Sequence, residues 1–204
     1  MDATTAVVVL IFVVSIFSGF GNNKGYKAPS APVFPVAQTQ PAAVYQAPLV
    51  GEPPPAFVGA GENAQPAINR HVAKYRSGDE AAQITDSIMR HSMTYNMNPK
   101  LVAALITRES KFNPRAMSSS GAGGLGQLLP STAKGLGVDD VFDIDQNAKG
   151  TVRYFKSLIE RFNGRVSSAI AAYLEGPNAV LRNGGYTDHT RSYVQDILAI
   201  YQKI

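Results

Sequence analysis

The sequence predicts a mainly helical fold for its C-terminal two thirds, on three observations. Apolar side chains recur there at the three- and four-residue spacing of helices. Helix-capping residues and glycine or proline stops separate these apolar segments. No alternation of apolar and polar residues typical of a strand persists in that region. We therefore expect one helical domain over residues 67–204.

The region before this domain differs from it in composition. Residues 3–20 are apolar and uncharged, and as a helix they would span about 27 Å, close to the thickness of a bilayer core. A membrane anchor over residues 1–21 is preferred to a cleaved signal peptide, because no basic residue precedes the segment and no A-x-A site follows it. Nine of the thirteen prolines lie between residues 22 and 66, which predicts an extended Pro/Ala-rich linker.

The first helix predicted in the domain runs to about Tyr95. Ser77, with Glu80 three residues later, forms a capping-box pattern at its start. Ile84 and His91 fall on one face with Tyr95 at helical spacing. The position of His91 on that face indicates a packed, hydrogen-bonded side chain rather than a catalytic one.

The remaining helices follow at short intervals. Asn98 can cap the second helix, and Pro99 suits its first position, where no N–H is needed. That helix ends near Glu109, and Ser131 can cap a short helix after a glycine-rich loop. Further helices are predicted at 147–162, 166–174, 178–182 and 188–201.

Glu109 is the candidate chemical group. It lies four residues after Leu105 on a helix that is apolar almost all round, so it emerges from buried surface. Burial raises the pKa of a carboxyl group, and the negative end of the helix dipole acts in the same direction. A carboxyl group that stays protonated near neutral pH can act as a general acid. The alternative is a structural role in which Glu109 caps the helix or forms a salt bridge.

The residues around Glu109 resemble a known signature. The positions that match are Glu109-Ser110-x-Phe112-Asn113-Pro114-x-Ala116-x-Ser118-x-x-Gly121-Ala122-x-Gly124-Leu125-x-Gln127-x-x-Pro130-x-Thr132-Ala133. The chain thereby resembles the soluble lytic transglycosylases, a lysozyme-like family that cleaves peptidoglycan. The resemblance covers roughly residues 84–201. Weaker matches follow at Asn147, Gly150, Tyr154, Ala171-Ala172-Tyr173, Gly176-Pro177, Thr190 and Tyr193-Val194.

The resemblance implies a fold and a reaction. The fold is lysozyme-like, with a cleft beside the Glu109 helix. The reaction breaks the β-1,4 bond between MurNAc and GlcNAc and leaves 1,6-anhydro-MurNAc ends, with one glutamate acting first as acid and then as base. Such an enzyme needs no second carboxylate, unlike most glycosidases. It also needs no cofactor.

The resemblance also implies roles for residues around the cleft. Ser118 would orient the Glu109 carboxyl group or touch the sugar, and Gly124 would let a glycan approach the backbone. Leu125 and Gln127 would line the cleft. Two tyrosines would reach toward Glu109 from opposite helices. The complete set of implied substrate-binding residues is Ser118, Gly124, Leu125, Gln127, Tyr173 and Tyr193.

One departure from the family pattern leaves alternatives open. Leu174-Glu175 stands where Asn-Ala is usual, which removes an amide and adds a carboxylate. If Glu175 faced the cleft it could hold a water, and the enzyme would be a hydrolytic muramidase. Two positions along a helix is about 200°, so Glu175 is expected to face away if Tyr173 faces the cleft. A non-catalytic wall-binding or assembly component is a third interpretation.

Charge and ligand chemistry restrict the partners. The net charge of +4 suits a polyanionic wall. The sequence contains no basic cluster with interleaved aromatic residues, so we do not expect it to bind nucleic acid. The sequence predicts no metal site, because its three histidines are scattered and it has no cysteine. The acidic residues Asp139, Asp140, Asp143 and Asp145 lack the pattern of an EF-hand calcium loop and are interpreted as caps and solvated charges.

The expected partners are therefore peptidoglycan strands, the membrane through the N-terminal helix, and a larger envelope or virion assembly. The expected location is a membrane, cellular or virion, with the domain facing the cell wall. Lys24 and Lys27 follow the apolar segment and favour the opposite orientation, but a wall substrate outweighs a bias of two lysines.

Overall fold

The computed structural model describes residues 61–204, so the predicted anchor (1–21) and most of the predicted linker (22–66) lie outside the described residues. Within the described range no helix is both long and apolar enough to cross a membrane. The secondary structure there consists of helices and two isolated β-bridges. The helices are α1 (Gly61–Val72), α2 (Gly78–Thr94), α3 (Pro99–Ser110), α4 (Pro130–Leu136), α5 (Ile144–Arg161), α6 (Val166–Glu175), α7 (Pro177–Arg182) and α8 (Asp188–Lys203). The mainly helical prediction is confirmed.

Helix α3 forms the centre of the molecule. Its residues from Leu101 to Ile106 are fully or almost fully buried in the main hydrophobic core. Helices α1, α2 and α8 all pack against it. A helix that is apolar on every face is stable only when other elements surround it, as they do here.

The start of α3 agrees with its sequence. The Asn98 side chain accepts hydrogen bonds from the backbone N–H groups of Lys100 (3.0 Å) and Leu101 (3.4 Å). Pro99 occupies the first turn, where its missing N–H costs nothing. The Asn98 amide also donates to the Tyr201 hydroxyl of α8 at 3.2 Å, which ties the cap to the last helix.

Helix α1 begins six residues before the predicted start of the domain at residue 67. Ala64 and Ile68 are buried on its inner face and belong to the main core. Pro66 lies inside this helix, whereas the sequence analysis assigned it to the linker on composition. Burial of an apolar face thus offsets the unfavourable helix propensity of one proline.

Two predicted caps differ in the structure. Ser77 stands at the N-cap of α2, but its side chain makes no capping hydrogen bond. Helix α4 begins two positions earlier than predicted, with Leu129 as N-cap and Pro130 in the first turn, so Ser131 lies inside the helix. Proline fixes the helical φ angle of the first position, which replaces the contribution of a capping side chain here.

The acidic loop was interpreted only partly correctly. Asp143 caps α5 by accepting from Gln146 N at 2.8 Å, so this helix starts three residues before the predicted 147. Asp145 is not simply a solvated charge, because its carboxylate is 2.7 Å from Nε2 of the buried His91. Arg90 lies 3.4 Å from the same carboxylate oxygen. This cluster joins α2 to α5, and His91 is a packed, hydrogen-bonded residue as predicted.

We expect Asn98→Ala to lower the free energy of unfolding by about 1–2 kcal/mol, because two backbone N–H groups at the start of the core helix lose their acceptor. Urea unfolding monitored by circular dichroism measures the change. Ser131→Ala is the matched control, since this exposed serine does not cap α4. A loss in Ser131→Ala equal to that in Asn98→Ala would contradict the assignment of the caps.

Candidate active site

Glu109 lies in the last turn of α3, where the central helix leaves the core. Part of the residue remains accessible to solvent, whereas its carboxyl group is enclosed by protein atoms. The helix ends directly after it, because Lys111 adopts the left-handed conformation at φ 50°. The side chain therefore stands at the boundary between the core and an open surface.

Tyr193 contacts the Glu109 carboxyl group directly. Its hydroxyl donates a hydrogen bond to Glu109 Oε1 from helix α8, and the ring is almost fully buried. The Arg108 guanidinium lies over the Tyr193 ring, 5.3 Å from its centroid, and pairs with Asp196 at 3.2 Å. Packing of α3 against α8 thus fixes the position of the phenol next to the acid.

The pKa of Glu109 is raised from 4.5 to about 7, because burial disfavours the charged carboxylate. The hydrogen bond from Tyr193 and the positive charge of Arg108 both lower this pKa, but burial outweighs them. Burial also raises the pKa of Tyr193 and of Tyr173 well above the usual value, and the Glu109 charge adds to both shifts. The raised pKa predicted for Glu109 from the sequence is present in the structure.

A buried amide holds the glycine-rich loop beside Glu109. Asn147 Nδ2 donates to the carbonyl oxygens of Gly123 (3.0 Å) and Val141 (2.8 Å), and its Oδ1 accepts from Gly126 N (2.8 Å). Thr151 Oγ1 donates to the same Oδ1 at 3.3 Å. Asn147 is fully buried, so these bonds satisfy a polar group that would otherwise be costly. The sequence analysis matched Asn147 to the family but did not find this function, because the partners are mostly backbone groups.

Two of the predicted substrate-binding residues are structural. A Cβ atom added to Gly124, at φ +75°, would lie 1.9 Å from Val141 O and 2.2 Å from Asn147 Nδ2. The glycine is therefore needed for packing inside the protein. Leu125 does not line a cleft, because it is fully buried in the main core. Its apolar side chain secures the loop to the helices instead.

Ser118 does not contact Glu109. Its hydroxyl accepts from Ala122 N at 2.9 Å and lies 2.9 Å from the Ser120 hydroxyl, so it stabilises the turn that contains Gly121. Gln127, at φ 50°, donates to the carbonyl oxygens of Ala116 (3.2 Å) and Gly124 (3.0 Å). These bonds fix the loop from inside.

Tyr173 lies close to Glu109 but bonds elsewhere. Its hydroxyl donates to Gly126 O at 2.7 Å, so it ties α6 to the glycine-rich loop. Its ring packs against those of Tyr154 and Phe155 at 5.2 and 6.1 Å. Of the two predicted tyrosines, only Tyr193 makes a hydrogen bond to the acid.

A cavity of about 180 Å³ borders Tyr173 and the glycine-rich loop, but neither Glu109 nor Tyr193 lines it. Its lining residues are Gln127, Leu128, Leu129, Thr132, Tyr154, Tyr173, Glu175 and Gly176. Glu175 was expected to face away from Tyr173, and this expectation is wrong, since both line the cavity. The cavity surrounds the C-terminal end of α6, where residues from different faces of the helix can border one space.

Two hydroxyl groups of the α8 N-terminus hold Glu175. Thr190 Oγ1 and Thr187 Oγ1 both donate to Glu175 Oε1, the latter at 3.4 Å. Thr190 and Tyr193 are one turn apart on α8, so the same helix contacts Glu175 and Glu109. The sequence analysis did not find the Thr190–Glu175 contact, which depends on the packing of α6 against α8.

The sequence model described as "Transglycosylase SLT domain" matches residues 86–195, more than half of the chain. The chain belongs to the transglycosylase SLT domain family. The matched region contains Glu109, the glycine-rich loop, Asn147, Glu175 and Tyr193.

Relatives of this SLT domain bear consistent names. The transglycosylase of Enterobacteria phage PRD1 is 42% identical over 98 residues, which cover 48% of this chain and 37% of the relative. Membrane-bound lytic murein transglycosylase F 1 of Alkalilimnicola ehrlichii is 32% identical over 151 residues, or 66% of this chain and 28% of the relative. The chain thus spans little more than a third of the length of the first of these relatives and less of the second.

Solved structures show the same fold. An inactive mutant of the lytic transglycosylase Slt from Pseudomonas aeruginosa superimposes with a TM-score of 0.51 at 25% identity, covering 57% of this chain and 23% of that chain. The 70 kDa soluble lytic transglycosylase of Escherichia coli has a TM-score of 0.55 at 21% identity, covering 65% and 25% respectively. The SLT-type fold implied by the sequence is confirmed for the described residues.

The buried acid makes the stability of the SLT domain depend on pH. Because the pKa of Glu109 is raised on folding, its contribution to stability is present below about 4.5 and is lost as the pH rises through about 7. We expect Glu109→Gln to be more stable than the wild type by about 2 kcal/mol near pH 8, a value discounted for the partial solvent access of the residue. The difference should vanish near the acid end of this range.

Urea unfolding at several pH values measures this difference. The matched control is Glu160→Gln, because Glu160 is exposed and forms only a surface ion pair with Lys156. A Glu109→Gln variant that is no more stable than the wild type at alkaline pH would contradict the burial of the charge.

Proposed function

We propose that this SLT domain is a peptidoglycan lytic transglycosylase that cleaves the β-1,4 bond between MurNAc and GlcNAc. The observation that carries the proposal is the buried Glu109 carboxyl group, which has a pKa of about 7 and a hydrogen bond from Tyr193. The names of the relatives from phage PRD1 and Alkalilimnicola ehrlichii support the substrate class. The Pseudomonas aeruginosa structure supports a role for an essential glutamate, since a glutamate-to-glutamine mutant of that protein is described as inactive.

Glu109 acts as the acid in the first step. A pKa near neutrality leaves much of the carboxyl group protonated at pH 7, so it can donate its proton to the glycosidic oxygen. The bond between that oxygen and C1 of MurNAc then breaks, and GlcNAc leaves as an alcohol. The Tyr193 hydroxyl is hydrogen-bonded to Oε1 of Glu109, so Oε2 of Glu109 would carry the proton that is donated to the glycosidic oxygen.

Glu109 acts as the base in the second step. The C6 hydroxyl of the same MurNAc attacks C1 and forms the 1,6-anhydro ring, while the Glu109 carboxylate accepts the hydroxyl proton. The acid is thereby regenerated and no water is consumed. An internal nucleophile has a high effective concentration, so the protein does not have to supply a second carboxylate.

The cavity bordered by Tyr173, a residue that itself lies close to Glu109, would bind the glycan. Gln127 and Tyr173 line it, together with Thr132 and Tyr154, and present phenol rings and polar groups of the kind that contact sugars. Ser118, Gly124 and Leu125 act indirectly by holding the glycine-rich loop in place.

Glu175 supports a second candidate reaction. Its carboxylate lines the cavity that we assign to the glycan, so a water bound there could attack C1 in place of the C6 hydroxyl. The enzyme would then be a hydrolytic muramidase. We favour the lytic reaction, because the resemblance around Glu109 extends through the whole glycine-rich loop and Glu175 is already hydrogen-bonded to two threonines.

The setting of the reaction remains a prediction from sequence. A membrane anchor in residues 1–21 and a linker would place the domain against the cell wall. One relative belongs to a phage and another is named membrane-bound, so a virion and a cell envelope both fit this arrangement.

We expect Glu109→Gln to reduce the cleavage of purified peptidoglycan by at least about a thousandfold, since an amide cannot deliver a proton. The wild-type rate should fall as the pH rises through about 7, where the acid form is lost. Release of soluble fragments measures both effects, and Glu160→Gln is the control for the loss of a carboxylate. Substantial cleavage by folded Glu109→Gln would remove Glu109 from its assigned role.

The mass of the product distinguishes the two reactions. We expect the wild type and Glu175→Ala to release glycans with 1,6-anhydro-MurNAc ends, which are one water lighter than hydrolysis products. Mass spectrometry of the fragments measures this. Reducing MurNAc ends from the wild type, lost in Glu175→Ala, would instead establish the muramidase reaction with Glu175 as the second carboxylate.

A further inference from the structure

The chain directly after Glu109 adopts an unusual backbone conformation. Lys111 and Phe112 are consecutive non-glycine residues in the left-handed region, at φ 50° and 59°. Each such residue costs roughly 1 kcal/mol or more and persists only when its surroundings hold it. These residues end α3, so the contacts that hold them also define where the last turn of α3, with Glu109, stops.

Arg76 provides one of these contacts. Its Nε donates to Phe112 O at 3.0 Å, and its Nη2 lies 3.5 Å from Lys111 O. One guanidinium group therefore contacts the carbonyl oxygens of both left-handed residues. A positive charge at the C-terminus of a helix is also favoured by the helix dipole. Glu80 Oε2, 3.9 Å from Nε, steadies the guanidinium from the side of α2.

Aromatic packing provides a second contact. The Phe112 side chain is fully buried, and its ring lies 5.8 Å from those of both His71 and Tyr75. The His71 and Tyr75 rings lie 5.6 Å apart in an edge-to-face arrangement. Contacts between aromatic rings stabilise a fold by more than the burial of their apolar area alone. The two neighbouring rings therefore hold the Phe112 side chain in one direction after the end of α3.

His71 adds a polar contact inside α3. The Thr107 hydroxyl donates to Ala103 O at 2.7 Å, so His71 Nε2 must donate to Thr107 Oγ1 at 3.0 Å. His71 Nδ1 is buried and finds no hydrogen-bond partner within the described part of the chain. Burial lowers the pKa of His71, and the positive charge of Lys74 lowers it further, so the ring stays neutral. A neutral ring can pack beside Phe112 without a charge to solvate.

His71 at the end of α1 and Tyr75 and Arg76 from the segment that follows it form a group that we call the α1 clamp. The α1 clamp lies outside the region that matches the SLT family model, residues 86–195. We propose that the α1 clamp is a positioning element for Glu109, in which Arg76 fixes the left-handed end of α3 and thereby the rotation of its last turn. Arg76 touches neither Glu109 nor the cavity and acts through Lys111 and Phe112. This inference rests on the proposed role of Glu109 as the acid.

The clamp is expected to affect the chemical step more than substrate binding. A displacement of roughly 1 Å can cost a hundredfold in rate, because the acid must stay within hydrogen-bond reach of the glycosidic oxygen. The glycan would contact the cavity residues and not the clamp, so its affinity should change little. An effect on kcat without a matching effect on KM is thus the expected signature.

The test compares Arg76→Ala, Arg76→Lys and wild type in the full chain, with soluble glycan fragments as substrate. We expect Arg76→Ala to lower kcat roughly tenfold and to leave KM within about twofold. Arg76→Lys should fall between the two, because one ammonium group replaces only part of the guanidinium fork. The control is Arg70→Ala, because Arg70 is an exposed arginine on α1, six residues before Arg76, and its removal should change neither constant.

A second variant tests the route through the backbone. Glycine adopts the left-handed conformation without a steric penalty, so Lys111→Gly should restore at least part of the lost kcat when combined with Arg76→Ala. Equal kcat values for Arg76→Ala and Arg70→Ala would overturn the inference. A loss of kcat that Lys111→Gly does not reduce would overturn the backbone route. An inactive wild type would instead overturn the proposed function itself.

Discussion

The rest of the site depends on one physical conflict, which is the placement of the Glu109 carboxyl group at the edge of a desolvated core. Burial raises the pKa of this group to about 7, and the opposing contributions of Tyr193 and Arg108 do not cancel it. The conflict is maintained because α3 is buried over most of its length and packs against α1, α2 and α8, which hold its last turn at the edge of the core. The proposed role of Glu109 as an acid would thus lower the stability of the fold, as is common for buried catalytic groups.

The glycine-rich loop is held by a different means, a single buried side chain. Asn147 uses both ends of its amide to bind backbone groups of Gly123 and Gly126, and it also reaches Val141. An irregular loop lacks the regular backbone hydrogen bonds of a helix or sheet, so some of its N–H and C=O groups need other partners. Here the side-chain amide of a residue on a neighbouring helix supplies them. The close approach of Gly124 to Asn147 shows why a glycine is required there.

Features governed by neighbouring residues could be predicted from the sequence. The Asn98 cap, the central apolar helix and the raised pKa of Glu109 all follow from short-range patterns. The bounds of the predicted helices agree within a few residues, whereas α1 was not predicted. Features governed by packing could not be predicted. Leu125 is in the core, and Glu175 borders the cavity although helical spacing placed it on another face. The family resemblance gave the right positions, but it did not reveal whether each residue serves the substrate or the scaffold.

Helix α8 explains how two carboxylates so close in the fold can have different tasks. Tyr193 contributes one hydroxyl to Glu109, which is enclosed by protein, whereas Thr187 and Thr190 contribute two hydroxyls to Glu175, which lines the cavity. A proton donor has to remain protonated near neutral pH, and desolvation favours this at Glu109. Glu175 Oε1 already accepts two hydroxyl hydrogens, so it is constrained as an acceptor. The spacing of one turn between Thr190 and Tyr193 means that a shift of α8 would disturb both carboxylates together.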